Sequence, residues 1–268
     1  MKNDLGYYCS DLCEHCGDVV KNHKTAFWID FKYLWLEQMA EVPGTWYFYA
    51  LFSIFMPLAM VFGFAHMGRG LTDKESLLYV ISGSMVFVLT AEGWLTMAIR
   101  TTTMRSSGVM TYYSSLPISK TSFILALLFS RLVVIVPSML VPLVVCPLLY
   151  PVRFSIGPWL LVILPLSALS LSAVGIAIGS LIDSVDIVQL LMNVLMFVVL
   201  MAAPVFIPNQ SLPAPLRALG TLLPPTYAAS ALRHILNGTI GYGFYMDTAV
   251  LVAMTVVSLI LLEKYLQW

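Results

Sequence analysis

Residues 154–182 read FSIGPWLLVILPLSALSLSAVGIAIGSLI, a run without one charged side chain. A helix needs about 20 predominantly apolar residues to cross the roughly 30 Å hydrocarbon core of a bilayer, and this run is long enough. Further uncharged runs occupy residues 42–66, 132–152 and 187–216. Because all of them are far longer than the roughly 9–11 residues of a barrel strand, they predict membrane-spanning helices.

The composition also indicates a membrane protein. Hydrophobic residues make up 59% of the 268 positions, charged residues make up 10%, and the mean hydropathy is +0.87. A soluble domain carries about 25% charged residues, so this chain has too few to cover a water-facing surface. The formal net charge of +0 argues against a nucleic-acid partner.

Two more apolar segments are each interrupted by one acidic residue, Glu92 in residues 77–99 and Asp247 in residues 244–262. With these included, the sequence predicts an all-α integral membrane protein with six transmembrane helices. The predicted spans lie near residues 44–64, 77–98, 123–149, 158–181, 187–207 and 244–262. Five or seven spans are alternatives, because the proline-rich residues 212–236 suit a short re-entrant helix better than a straight span.

Lysine and arginine are divided unevenly between the predicted loops. With the N-terminus inside, eight of them lie on the inner side and five on the outer side. Cytoplasmic loops carry the excess of these residues in membrane proteins. We therefore expect a multi-pass protein of the cell (inner or plasma) membrane, with the N-terminus and the C-terminus in the cytoplasm.

Residues 1–23 form a polar tail that carries three cysteines. Cys9, Cys13 and Cys16 are spaced as in the cluster-binding loop of radical enzymes that use S-adenosylmethionine, and together with His15 they also suit zinc. Either chemistry needs a soluble domain around it, which so short a tail does not supply, and a reducing cytoplasm keeps thiols reduced. We expect a cytoplasmic tail without metal; a small metal or redox site on the same residues is the alternative.

Residues 24–43 predict an amphipathic interfacial helix ahead of the transmembrane domain, residues 44–268. The apolar side chains at helical spacing are Trp28, Phe31, Trp35, Met39 and Val42. Tryptophan suits the headgroup layer, where its ring stays partly hydrated. The polar side chains, which include Glu37, Gln38 and Glu41, are expected to turn away from this stripe. Packing of the helix on other protein is the alternative.

Residues 100–120 form the longest predicted inner loop between spans. Residues 105–113 predict a short cytoplasmic helix, which the following Leu-Pro pair ends. Tyr112 and Tyr113 give this loop more apolar contact surface than a linker needs, and such side chains are typical anchors of protein interfaces. A loop that lies on the lipid headgroups is the alternative.

Several segments together resemble the permease subunits of the ABC-2 family of ATP-binding-cassette exporters. They are the amphipathic N-terminal helix, YYSSLPISK at residues 112–120, LPAPL at residues 212–216 and LPPTYAASALR at residues 223–233. The resemblance covers roughly residues 24–265 and leaves out the cysteine-bearing tail.

The resemblance implies that a separate chain supplies the energy. The inner loop is then a coupling helix that docks in a groove of an ABC-type ATPase, with the N-terminal helix beside it. The residues implied in docking are Arg105, Tyr112, Tyr113, Leu116 and Pro117, assisted by Glu37 and Glu41. Two ATPase copies and two permease copies, as a homodimer, would form the transporter in the lipid membrane, with ATP and Mg²⁺ on the ATPase. Consistent with this, the sequence has no G-x-x-x-x-G-K-[ST] phosphate-binding loop.

The same resemblance places short helices of the proline-rich outer segment at the exit, where they help to close it. Residues 226–236 predict one of these helices. The residues implied in this outer gate are Pro213, Leu223, Pro224, Pro225, Tyr227 and Arg233. A rigid outer cap without a gating part is the alternative.

Two charged residues, Glu92 and Arg131, lie well inside predicted spans. A charge near the bilayer centre costs about 2.5–3.5 kcal/mol on insertion scales. Both residues lie about 10–12 Å from the inner ends of consecutive spans, at a helical rise of about 1.5 Å per residue. We therefore expect an intramembrane charge pair, with a role in the translocation path as the alternative.

The sequence thus favours a permease subunit of an exporter, without enzymatic activity of its own, for a hydrophobic or amphipathic substrate that is drug-like or lipid-like. An integral-membrane metal or redox protein that uses the N-terminal cysteines is one alternative. A passive channel or scaffold subunit is another.

Overall fold

The computed structural model describes residues 23–40, 51, 55–63, 74–116, 118–149, 157–202, 220–221 and 223–265. All regular secondary structure within these ranges is helical. In chain order the helices are α1 (His23–Ala40), α2 (Lys74–Leu89), a π-helical turn (Thr90–Leu95), α3 (Thr96–Ser106), α4 (Val109–Ser114), α5 (Lys120–Leu149), α6 (Leu160–Leu181), α7 (Val185–Ala202), α8 (Pro224–Leu236) and α9 (Tyr242–Tyr265). Residues 55–63, within the predicted first span, are helical as well.

Three helical stretches in the described part of the chain are long and apolar enough to cross a membrane. They are Leu78–Ser106, Leu160–Leu181 and Tyr242–Glu263, and Val185–Leu200 is a shorter apolar helix. The chain is therefore an all-helical membrane protein within these residues, as the sequence predicts. Helix α5 covers the predicted third span.

The helix of the second span continues further along the chain than predicted. Its helix runs through the π-helical turn to Ser106 instead of ending near residue 98. The single helix predicted over residues 105–113 is wrong, because Gly108 separates α3 from α4. Gly108 has a φ of +76°, the left-handed conformation that glycine adopts without a steric penalty and that commonly ends helices.

Helix α6 lies at the centre of the bundle and packs against α9, α3, α5, α8 and the π-helical turn. Its contact with the second span depends on two glycines. A Cβ atom at Gly175 would lie 2.5 Å from the carbonyl oxygen of Trp94, and one at Gly179 would overlap the carbonyl oxygen of Ala98. The two backbones therefore approach as closely as glycine permits, which is how small residues pack membrane helices together.

Helix α1 packs along α5, with Phe31 edge-on to Phe129 at a ring-centroid distance of 6.0 Å. The prediction that Gln38 turns away from the apolar side chains is wrong. Leu34 and Gln38 are buried, whereas Trp28 is 67% exposed. Gln38 occupies the buried face because its amide oxygen accepts a hydrogen bond from the Arg100 side chain at 2.5 Å, a partner that local periodicity does not reveal.

Candidate functional site

Helix α4 forms the tip of the hairpin between the second span and α5. Tyr112 is 63% exposed on this helix and Val109 is 37% exposed, whereas Met110 and Tyr113 are buried. The backbone N–H of Tyr112 donates to the carbonyl oxygen of Gly108, which fixes the first turn. The short helix therefore presents one tyrosine outward and anchors itself with the next.

Tyr113 is the anchor between this hairpin and the N-terminal helix. Its hydroxyl donates a hydrogen bond to Oε1 of Glu37 at 2.5 Å, and its ring lies 4.9 Å from the ring of Phe123 on α5. Leu34 of α1 belongs to the same apolar cluster. The hairpin, α1 and the start of α5 thus form one packed inner unit.

Arg105, near the C-terminal end of α3, contacts the last turn of α6 and the connection that follows it. Its guanidinium donates to the carbonyl oxygen of Ser180 in the last turn of α6, and its Nη2 lies 2.8 Å from Oδ1 of Asp183. Thr102 adds a second tie, because its hydroxyl donates to the carbonyl oxygen of Gly179 at 2.9 Å. The C-terminal end of the second span is therefore bound to the C-terminal end of α6.

The residues predicted to dock a partner consequently separate into different positions. Tyr112 and Glu37 are exposed and Leu116 is half-buried, which leaves all three accessible at the surface formed by the hairpin and α1. Tyr113 and Arg105 make contacts within the chain and hold the hairpin in place. Pro117 and Glu41 lie outside the described residues.

Helix α8 forms most of the described part of the outer segment. Leu223 precedes the helix in an extended conformation, and Pro224 and Pro225 begin it, where a missing backbone N–H costs nothing. The hydroxyl of Tyr227 donates to the carbonyl oxygen of Thr221 at 2.7 Å. Of the residues predicted for an outer gate, only Pro213 lies outside the described ranges.

Arg233 ties α8 to the second span. Its guanidinium carbon lies 4.0 Å from the centre of the Tyr79 ring, a cation–π contact, and its Nε donates to the hydroxyl of Ser82 at 3.0 Å. Burial lowers the pKa of Arg233 to about 10, against the attraction of Tyr79 and Asp247. The side chain therefore remains a cation at neutral pH.

A weaker contact joins α8 to α9. Nε2 of His234 lies 3.9 Å from Oδ2 of Asp247, and its Nδ1 lies 3.4 Å from the hydroxyl of Thr239. No Cβ would fit easily at Gly243, since it would lie 3.2 Å from the His234 ring. The outer helix thus has partners on both neighbouring spans.

Glu92 and Arg131 are both buried, at 6% and 7% exposure. Glu92 lies on the π-helical turn and Arg131 on α5, and Arg131 attracts the Glu92 carboxylate electrostatically. The turn is π-helical because the backbone N–H of Thr96 bonds to the carbonyl oxygen of Ala91, five residues before it.

The cysteine site predicted in the tail, with Cys9, Cys13, Cys16 and His15, lies outside the described residues. Within the described part of the chain, no three His, Cys, Asp or Glu residues are grouped as metal ligands.

Sequence reasoning did not identify the close contact at Gly175 and Gly179. The pattern Gly-Ile-Ala-Ile-Gly at residues 175–179 is the G-x-x-x-G signal of helix contacts in membranes. That signal was sufficient to predict the packing face of α6.

Three long apolar helices in the described part of the chain define an integral membrane protein. The family model described as ABC-2 type transporter matches residues 29–237. The chain therefore belongs to the ABC-2 transporter family and is a membrane permease of that type. A comparison with curated proteins gave no match.

Proposed function

We propose that the chain is the permease subunit of an ABC-2 exporter, driven by a separate ATPase chain that docks on α4. The observation that carries this proposal is Tyr112, which is 63% exposed at the tip of an otherwise anchored hairpin. A large aromatic ring held out from a rigid support is typical of an interface anchor. Membership of the family supports the pairing with an ATPase.

The hairpin is suited to transmit movement because it is tied to two spans. Helix α3 continues directly into the second span, and Thr102 and Arg105 bind that span to α6. A displacement of α4 therefore moves the inner ends of both spans together. The Tyr113–Glu37 hydrogen bond brings α1 into the same unit. Glu37 and Leu116 flank Tyr112 in the proposed docking surface.

The transporter consists of two permease copies, as a homodimer, and two ATPase copies that bind ATP and Mg²⁺. The permease has six transmembrane spans in the cell membrane, with both termini in the cytoplasm. Apolar side chains that face away from the bundle support lipid or permease contacts on α7, where Leu190 is 68% exposed and Phe197 is 63% exposed.

Substrate leaves past α8, which acts as the outer gate. Arg233 links this helix to the second span, and His234 lies near Asp247 of α9. Because the second span also carries the docking hairpin, a movement at the inner side reaches the outer gate through one continuous helix. The apolar bundle suits a hydrophobic or amphipathic substrate. Glu92 and Arg131 form a charge pair within it.

The test is purification of the detergent-solubilised chain from its native cells, followed by ATPase activity of the eluate. We expect an ABC-type ATPase to co-elute, and Tyr112→Asp to abolish this without lowering the melting temperature of the permease. The matched control is Tyr242→Asp, the same change at a tyrosine that is 79% exposed at the start of α9. Retention of the ATPase by Tyr112→Asp, or absence of any ATPase from the eluate, would refute the proposal.

A further inference from the structure

A cavity of about 250 Å³ lies beside the π-helical turn of the second span. Its walls come from this turn and the helices around it, from the helical residues 55–63 and from α7. Met56, Phe87 and Met196 are among the lining residues, and Glu92 and Thr96 are the polar ones. The cavity is thus an apolar space with a single ionisable side chain on its wall.

Glu92 has an unused hydrogen-bond acceptor. Its side chain is 6% exposed, and its Oε2 atom has no hydrogen-bond partner within the described residues. The hydroxyl of Thr96 is already committed, because it donates to the carbonyl oxygen of Ala91 at 3.0 Å. Oε2 itself is buried, so a ligand in the cavity reaches it only after the carboxyl group on the wall rotates. A donor that then bonds to it removes the cost of about 1–3 kcal/mol that a buried acceptor without a partner carries.

The π-helical turn places Glu92 at this wall. The turn inserts one extra residue into the helix, with Gly93 set against Ser172 of α6 while Glu92 lines the cavity. Such turns occur frequently at functional sites, and an ionisable residue inside a membrane is costly and commonly marks a functional site. Arg131 attracts the same carboxylate, but a carboxylate accepts several hydrogen bonds, so this attraction does not exhaust it.

We propose that this cavity binds the protonated amine of an amphipathic substrate, with Glu92 Oε2 accepting its hydrogen bond. This inference rests on the proposed function and names the substrate class of that permease. The carboxylate repels an anion, and a neutral apolar group leaves Oε2 without a partner. An aromatic ring and methionine thioethers in the lining suit the organic part of such a cation.

The probe is radiolabelled phenethylamine, which is protonated at pH 7, measured by equilibrium binding to the full chain in nanodiscs of zwitterionic lipid without any ATPase. We expect saturable binding that Glu92→Gln weakens at least about tenfold, the effect of losing one charge-assisted hydrogen bond. Propylbenzene, the neutral carbon isostere, should compete poorly. The matched control is Glu263→Gln, the same change at an exposed glutamate of α9, which should bind as the unmodified chain does.

Equal binding by Glu92→Gln and the unmodified chain, or equal competition by propylbenzene, would overturn the inference. If Glu92→Gln fails to elute as folded protein, Ala91→Phe is tested in its place, because this change fills the cavity and leaves the carboxylate in place. Unchanged amine binding by Ala91→Phe also overturns the inference. The assay contains no ATPase. If the amine binds in nanodiscs but no ATPase co-elutes in the purification, only the exporter proposal is refuted. If an ATPase co-elutes but the amine does not bind, only this inference is refuted.

Discussion

The hydroxyl of Tyr113 donates to Oε1 of Glu37 at 2.5 Å, across a separation of 76 residues in the chain. This bond joins the hairpin tip to the N-terminal helix, and the adjacent tyrosine, Tyr112, makes no comparable bond in the described structure. Two neighbouring residues of the same type therefore differ in position, since one holds the hairpin and the other is exposed at its tip.

Removal of the Tyr113 hydroxyl should loosen the inner unit. Tyr113→Phe keeps the ring beside Phe123 but deletes the donor, so we expect a loss of about 1 kcal/mol and a lower melting temperature. Glu37→Gln should cost a similar amount, and the double variant should cost less than the sum of the two. Tyr112→Phe is the control and should leave the melting temperature unchanged. Full additivity in the double variant would show that the two side chains do not interact.

The contact between α6 and the second span should tolerate no side chain at Gly179. A Cβ atom there meets the carbonyl oxygen of Ala98, so Gly179→Ala must push the helices apart. Overpacking of this kind typically costs about 1–3 kcal/mol, and we expect a lower melting temperature and poor yield of folded protein. Gly63→Ala is the control, because a Cβ atom has nothing within 4 Å there. Equal stability of the two variants would mean that the helices are not in close contact.

Arg105 and Asp183 should contribute unequally to the tie between α3 and α6. The Asp183 side chain is 86% exposed, and surface ion pairs of this kind contribute about 0–1 kcal/mol, so Asp183→Asn should have little effect. Arg105→Gln also removes the donor to the carbonyl oxygen of Ser180, one of the last carbonyls of α6, which lack helical partners. We therefore expect a clearly larger fall in melting temperature for Arg105→Gln, with Arg105→Lys in between. Equal falls in melting temperature for Arg105→Gln and Asp183→Asn would show that the ion pair accounts for the contact between α3 and α6.

The three long apolar helices and the segment with tyrosines between two of the helices were predictable, because each depends on a local feature of the sequence. Side-chain direction on α1 was not, since Gln38 becomes buried through Arg100, a partner 62 residues away. Likewise, no local pattern distinguishes Tyr112 from Tyr113 before the position of α1 is known. The π-helical turn also lacks a sequence signal, because Thr90–Leu95 contains no proline and only one glycine. The glycine pair of α6, in contrast, was readable in the sequence.

The link between α8 and the second span should depend on the planar guanidinium of Arg233. Lysine keeps the charge but cannot both cover the Tyr79 ring and donate from Nε to Ser82, so Arg233→Lys should lower the melting temperature by an amount equivalent to about 1–2 kcal/mol. Tyr79→Phe is the control because it retains the ring, and Tyr79→Leu should resemble Arg233→Lys. Burial lowers the folded-state pKa of Arg233 to about 10, below the usual value of an arginine. Well below pH 10 Arg233 is charged in both the folded and the unfolded chain, so it adds no pH dependence to the free energy of unfolding near neutrality. As the pH rises above 10, the folded chain loses the proton first, and the free energy of unfolding increases. Thermal unfolding at pH 7 and pH 8.5 should therefore give the same difference between Arg233→Lys and the unmodified chain. A strong pH dependence of that difference, or wild-type stability of Tyr79→Leu, would assign the link between α8 and the second span to other residues.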